Sequence, residues 1–203
     1  ITQSGKIFHW GKNNTIKINA NSRNVTFNSN ETNYITSLKA GINEWQDTLT
    51  SLGILIVYVS TGADVNVEWV DGSTLNPGML GYASTNKILT MSRTLNKVQS
   101  DADNYYHSDF KVKYIATHEF GHMLGIWNHS FDSNDIMYPF QGTGSLTNRD
   151  KKTLTEFLYS QTPTQDMHER KGPLTSSQVN EVTPLAISYL TVNGCSIEID
   201  SDQ

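Results

Sequence analysis

The tightest constraint on this chain is the run His118-Glu119-Phe120-Gly121-His122-Met123-Leu124-Gly125-Ile126-Trp127-Asn128-His129. Helical residues four apart lie on one face, so His118 and His122 can present their imidazoles to a single point. Glu119 lies about 100° round from His118, where it can reach a water on a bound metal without displacing it. Gly125 supplies a residue that readily takes positive φ, which is how a helix stops and the chain reverses. That reversal returns His129 as a third ligand, because Asn128 is a poor zinc ligand beside an available imidazole. Three neutral histidines leave zinc its full double charge and an open fourth position. Such a site lowers the pKa of bound water from about 15.7 toward about 7. A His-Glu-x-x-His match on its own also arises by chance; the Gly125 and His129 continuation argues against accident. The chemistry implied is hydrolytic.

A second element follows in Asn134-Asp135-Ile136-Met137-Tyr138-Pro139. Taken alone, Met137 reads as a core methionine. After the zinc-binding pattern, it makes the chain resemble the matrixin group of the metzincin zinc endopeptidases. The resemblance implies that Met137 belongs to a Met-turn forming an apolar floor beneath the metal. It also implies that Tyr138 is structural, since the tyrosine that astacin-like relatives use as a donor lies two residues past the methionine, where this chain has Pro139. Two departures stand out. The matrixin motif places two residues between the glycine and the third histidine, whereas Ile126, Trp127 and Asn128 make three here, an extension that a loop absorbs more easily than a helix. Matrixins also commonly carry a tyrosine two residues after the proline, lining the specificity pocket, and this chain has Gln141.

The periodicity places these motifs in a fold. Thr15 to Ala20 alternates as a half-buried strand does. Tyr34, Leu38, Ile42, Trp45 and Leu49 recur at helical spacing, which predicts an amphipathic helix from about Glu31 to Thr50. Ile54 to Ser60, Asp64 to Val70 and Lys87 to Ser92 read as strands. The zinc helix runs from Asp109 or Phe110 to Leu124. Thr147-Asn148-Arg149-Asp150 reads as a capping box opening a last helix with Leu154, Phe157 and Leu158 on its buried face. That order is similar to the metzincin order over about Lys6 to Gln161. The resemblance implies an α+β metzincin-type catalytic domain: a twisted, mostly parallel sheet with one antiparallel edge strand, packed on two long helices and followed by a C-terminal helix. The domain division expected is a catalytic domain over 1–161 and, over 162–203, a linker with a C-terminal β-hairpin extension, Ala186 to Val192 and Cys195 to Ile199 flanking Asn193-Gly194.

Gly78 to Ala83 would by itself be a Gly-Pro loop before a strand. The resemblance implies more: an edge strand that pairs with an extended substrate through its free N–H and C=O groups. On that basis Leu80, Gly81, Tyr82 and Ala83 are candidate substrate-binding residues. Pro139, Phe140 and Gln141 join them as one wall of a specificity pocket, with the zinc helix near Tyr114 to His118 as the other.

Composition narrows the remaining choices. A net charge of −5 across 203 residues offers no basic surface, so nucleic acid is not an expected partner. No apolar run approaches the roughly 20 residues of a membrane span. The polar, weakly charged style fits a secreted protein, and a start on Ile1 is what removal of a signal or propeptide leaves, although trimming leaves the same. Cys195 is the single cysteine, so no intrachain disulfide forms, which in a secreted protein favours a bacterial source. Its plain reading is a half-buried strand residue. His9, His107 and His168 read as surface or internally satisfied histidines. His107-Ser108-Asp109 superficially matches a second, structural zinc segment of animal matrixins, but it lies just before the zinc helix. Calcium could be held by Asp71 or the Asp101-Ala102-Asp103-Asn104 loop, against the plainer reading of a solvated acidic loop.

The expectation is a secreted, bacterial-type zinc endopeptidase, monomeric, acting on protein or peptide substrates. Catalysis would use one zinc, a zinc-bound water and Glu119 as general base. Three competitors stand beside it: a zinc-bearing adhesion or binding module without proteolytic activity, a zinc hydrolase of non-peptide substrates, and a metal-free domain with a fortuitous motif. An intact Glu119 weighs against the first.

Overall fold

A computed structural model of the chain describes residues 7–95, 106–140, 145–162 and 165–166. Alternating sequence makes the central strands. In β2 (Thr15–Asn19) Ile16 and Ile18 are fully buried, and in β4 (Val65–Val70) Val65, Val67 and Trp69 are buried while the intervening residues are partly exposed. With β3 (Leu55–Tyr58), β5 (Gly81–Ala83) and β6 (Ile88–Ser92) they form one sheet in the order β3-β2-β4-β6-β5. The first four strands are parallel, in registers such as Ile16 opposite Ile56 and Trp69 opposite Met91. Only β5 is antiparallel, with Tyr82 opposite Thr90, and it ends the sheet. The expected mostly parallel sheet with one antiparallel edge is therefore the observed one.

The helix anticipated over Glu31 to Thr50 is instead two pieces, α1 (Tyr34–Asn43) and α2 (Gln46–Thr50). At the break, the Glu44 and Trp45 N–H groups bond three residues back, to the Gly41 and Ile42 carbonyls, at 3.2 Å each. This tightening lets the Trp45 indole donate to the Thr117 carbonyl at 2.8 Å. Tertiary anchoring of one tryptophan thus wins over a continuous apolar period.

The helix that carries His118 and His122 is α3 (Asp109–Met123), capped by the Ser108 hydroxyl, which accepts from the Lys111 N–H at 3.2 Å. From Tyr114 to Met123 every residue is buried. A helix enclosed on all sides has no polar stripe, because the sheet, α1 and the Met-turn each cover part of it.

The capping box is present: Thr147 and Asp150 exchange hydrogen bonds at the start of α4 (Asn148–Lys152). The chain then widens into a π-helical turn over Thr153–Leu158, with the Tyr159 N–H bonding five residues back to Leu154 at 2.9 Å. That wider turn rotates the faces, so Leu154 and Leu158 are buried as expected but Phe157 is 46% exposed. A further pair that no periodicity predicts is β1 (Phe8–His9), lying parallel to β7 (Gln165–Asp166). The C-terminal hairpin, Cys195, His168, Gln141 and the Asp101–Asn104 loop lie outside the described residues. Among the described residues no helix is long and apolar enough to cross a membrane.

Candidate metal centre

Helix α3 places His118 and His122 one turn apart, and Gly125 reverses the chain at φ 109°. A side chain at Gly125 would overlap the Phe8 carbonyl oxygen, so a glycine is required both for the turn and for the close approach of β1. The reversal brings in His129, and the ligating nitrogens of the three histidines lie within 4.8 Å of one another. His118 Nε2 and His122 Nε2 are 3.1 Å apart. Tetrahedral zinc with Zn–N bonds of about 2.0–2.1 Å sets its ligand nitrogens roughly 3.3 Å apart, so the trio fits that ion.

The rings are aimed by backbone. His118 Nδ1 meets the Ile136 carbonyl and His122 Nδ1 the Ile126 carbonyl, each at 2.6 Å. Both contacts call for a donating Nδ1–H, which leaves Nε2 as the free lone pair, the tautomer a metal needs. Burial drives the protonated forms out. His118 is lowered to about 3, by burial first and then by His122, and His122 to about 4, by burial. His129 is also lowered, by burial and then by its two neighbours. The imidazoles are neutral at ordinary pH and ready to bind a cation.

Glu119 is fully buried, and neither carboxylate oxygen has a hydrogen-bond partner. Burial raises its pKa well above the usual carboxylate value; the Ala83 N–H of β5 pulls the other way without closing a full hydrogen bond. A buried, unpartnered carboxyl beside three convergent imidazoles is a group poised to exchange a proton with something bound there.

Met137 is buried beneath the helix, and a Cβ at Gly121 would overlap its sulfur. Gly121 is therefore what lets the Met-turn sit so close, a role that the sequence reading missed although glycine inside a helix was the available signal. Also missed was Asp150. Beyond its capping role, its carboxylate accepts from the Ile136 N–H at 3.1 Å, and thus holds the residue whose carbonyl aims His118. Ser130 N–H donates to the Met137 carbonyl at 2.7 Å, tying the third-ligand loop to the same turn.

Of the candidate substrate residues, Gly81, Tyr82 and Ala83 form β5 and Leu80, buried, precedes it. Pro139 is half-buried and Phe140 is 42% exposed; the Tyr114 hydroxyl donates to the Phe140 carbonyl at 3.4 Å, joining the two expected pocket walls. Tyr138 packs edge-on against Phe140 with ring centres 5.7 Å apart. His9 is internally satisfied, through the Gln161 carbonyl and the Gly11 N–H. His107 is neither exposed nor satisfied, being 4% exposed with no hydrogen bond at either ring nitrogen. Asp71 spends its carboxylate capping Ser73.

Three convergent imidazoles thus lie beside a buried glutamate, under the antiparallel edge of a mostly parallel sheet. The matrixin family model matches residues 9–159, and the chain belongs to that family of metalloendopeptidases. Among solved structures it is similar to the crystal structure of myroilysin, at 12% identity over 78% of this chain and 88% of that one, with a TM-score of 0.48. A second myroilysin structure is 17% identical over 62% of this chain and 52% of the other, with a TM-score of 0.39. No curated protein matches the chain.

Proposed function

We propose that the protein is a secreted zinc endopeptidase that cuts extended polypeptides, with His118, His122 and His129 as the ligands and Glu119 as the general base. The observation that carries the reading is the convergence of three ligand nitrogens within 4.8 Å beside a buried, unpartnered carboxylate. Zinc, when bound by the three imidazoles, polarises the scissile carbonyl and acidifies the water that attacks it. Glu119 takes the proton from that water and delivers it to the leaving amine. Burial raises its pKa in the metal-free site, and the charge of a bound zinc would draw it back toward the ionised form that a base requires.

Substrate is held by the backbone of β5. Its inner edge pairs with β6 and its outer edge ends the sheet, so the stretch from Leu80 to Ala83, whose Leu80 carbonyl is already taken by the Ser92 N–H, offers its outward-facing N–H and C=O groups to an extended peptide running antiparallel. Pro139 and Phe140, with the Tyr114 hydroxyl donating to the Phe140 carbonyl, bound the pocket for one substrate side chain, and Gln141 is assigned to the same wall on the family resemblance alone. Residues 1–161 are assigned to the catalytic domain and 162–203 to an extension; the family match ends within the first. The polar, weakly charged composition and single cysteine support a secreted, bacterial setting and a monomer. Calcium is not assigned.

The test is cleavage of casein by the protein stripped of metal with a chelator and then titrated with zinc. Activity that disappears on stripping and returns at one zinc per chain is expected. A protein that binds one zinc yet cuts no unfolded substrate would leave the binding-module reading in its place.

A further inference from the structure

The loop that makes this chain depart from the matrixin spacing carries a tryptophan directly against the metal ligands. Trp127 lies nearly parallel to the His122 imidazole, with ring centres 6.3 Å apart and planes inclined by 14°. On its other side, Phe8 of β1 meets the indole edge-on at 6.4 Å and 77°. The other two candidate ligands meet His122 near-perpendicular instead: His118 at 4.8 Å and 85°, His129 at 4.9 Å and 80°.

A single hydrogen bond from Nδ1 to the Ile126 carbonyl fixes one direction in the His122 ring. It does not by itself define the plane of the ring. The nearly parallel indole beside it can, and Trp127 is the residue next to the carbonyl that makes the bond. The same short loop therefore sets the direction of His122, sets its plane and supplies His129. The indole N–H is itself buried without a hydrogen-bond partner. An unpaired buried donor carries a desolvation penalty that a leucine or phenylalanine filling the same space would avoid. Plain core filling is a poor account of this tryptophan.

We propose that Trp127 is a positioning residue for the metal centre: its indole plane, braced by Phe8, holds the His122 imidazole in the orientation that binds zinc. This inference rests on the zinc reading given above.

The test compares wild type with Trp127→Leu and Trp127→Phe. Zinc affinity is measured by competition with a chromogenic chelator, and thermal unfolding is followed on the zinc-free proteins. Outer partners of metal ligands typically contribute about 10–100-fold in affinity. Trp127→Leu is expected to weaken zinc by about that factor, with the zinc-free melting temperature close to wild type. Trp127→Phe, which keeps a flat ring and removes the unpaired donor, is expected to recover most of the affinity. Wild-type zinc affinity in Trp127→Leu would overturn the proposal. So would an affinity that falls only in step with the zinc-free melting temperature, which would mark ordinary packing. If wild type itself takes up no zinc, the metal reading fails and this proposal with it, an outcome separated from the others by the wild-type stoichiometry.

Discussion

His118 and His107 look alike by two common signs of a functional histidine. Both are buried, and burial lowers both to a pKa of about 3. Around them everything differs. His118 has a carbonyl at 2.6 Å on Nδ1 and two other imidazoles facing its Nε2. At His107 neither nitrogen closes a full hydrogen bond; Lys111 is the next cause of its lowered pKa after burial, and the Thr94 backbone pulls weakly the other way. A depressed pKa reports burial; convergence of ligand atoms with aimed tautomers reports a metal centre. The Tyr34 hydroxyl, which donates to the His107 carbonyl at 2.9 Å, shows what the His107 segment does instead: it ties the start of α3 to α1.

The contrast breaks most sharply by mutation. His118→Ala is expected to abolish zinc binding and proteolysis together, while His107→Leu retains one zinc per chain and wild-type cleavage; metal analysis of the two purified proteins decides it. Loss of zinc from His107→Leu would undo the distinction. Smaller in effect is Glu119→Gln, which removes the base but no ligand. It should keep zinc and lose about 10²–10⁴-fold in kcat, the usual worth of a general base. Smaller again is the acid dependence of stability. A histidine whose folded pKa is depressed takes up protons more readily when unfolded, so stability rises with pH and falls as pH drops from about 6.5 toward about 3. For His107 this amounts to about 1–2 kcal/mol between pH 6.5 and pH 5. The three candidate ligand histidines are also neutral when folded and take up protons on unfolding, so urea unfolding at those two pH values should show a loss in both proteins, smaller in His107→Leu by about 1–2 kcal/mol. Equal pH dependence of the two proteins would place the titrating group elsewhere.

The metal centre was far more legible in sequence than its supports. His118, Glu119, His122, Gly125 and His129 are readable because helical period and a turn glycine are local properties. Strand positions were readable for the same reason, through alternation in Thr15–Asn19 and Val65–Val70. What was not readable depends on contacts distant in the chain. The break at Glu44–Trp45 follows from an indole reaching Thr117, and Asp150 reaches the Met-turn across the fold. The π-helical turn that exposes Phe157 has no local pattern to announce it. The pairing of β1 with β7 joins residues at opposite ends of the described chain, beyond the reach of any periodicity.

The most direct test of the account is casein cleavage by Glu119→Gln at a measured zinc content of one per chain, beside wild type at the same content. The account predicts full zinc occupancy with cleavage reduced by about 10²–10⁴-fold. Cleavage at the wild-type rate by the zinc-loaded variant would contradict it, because the proton would then be moved by some other group.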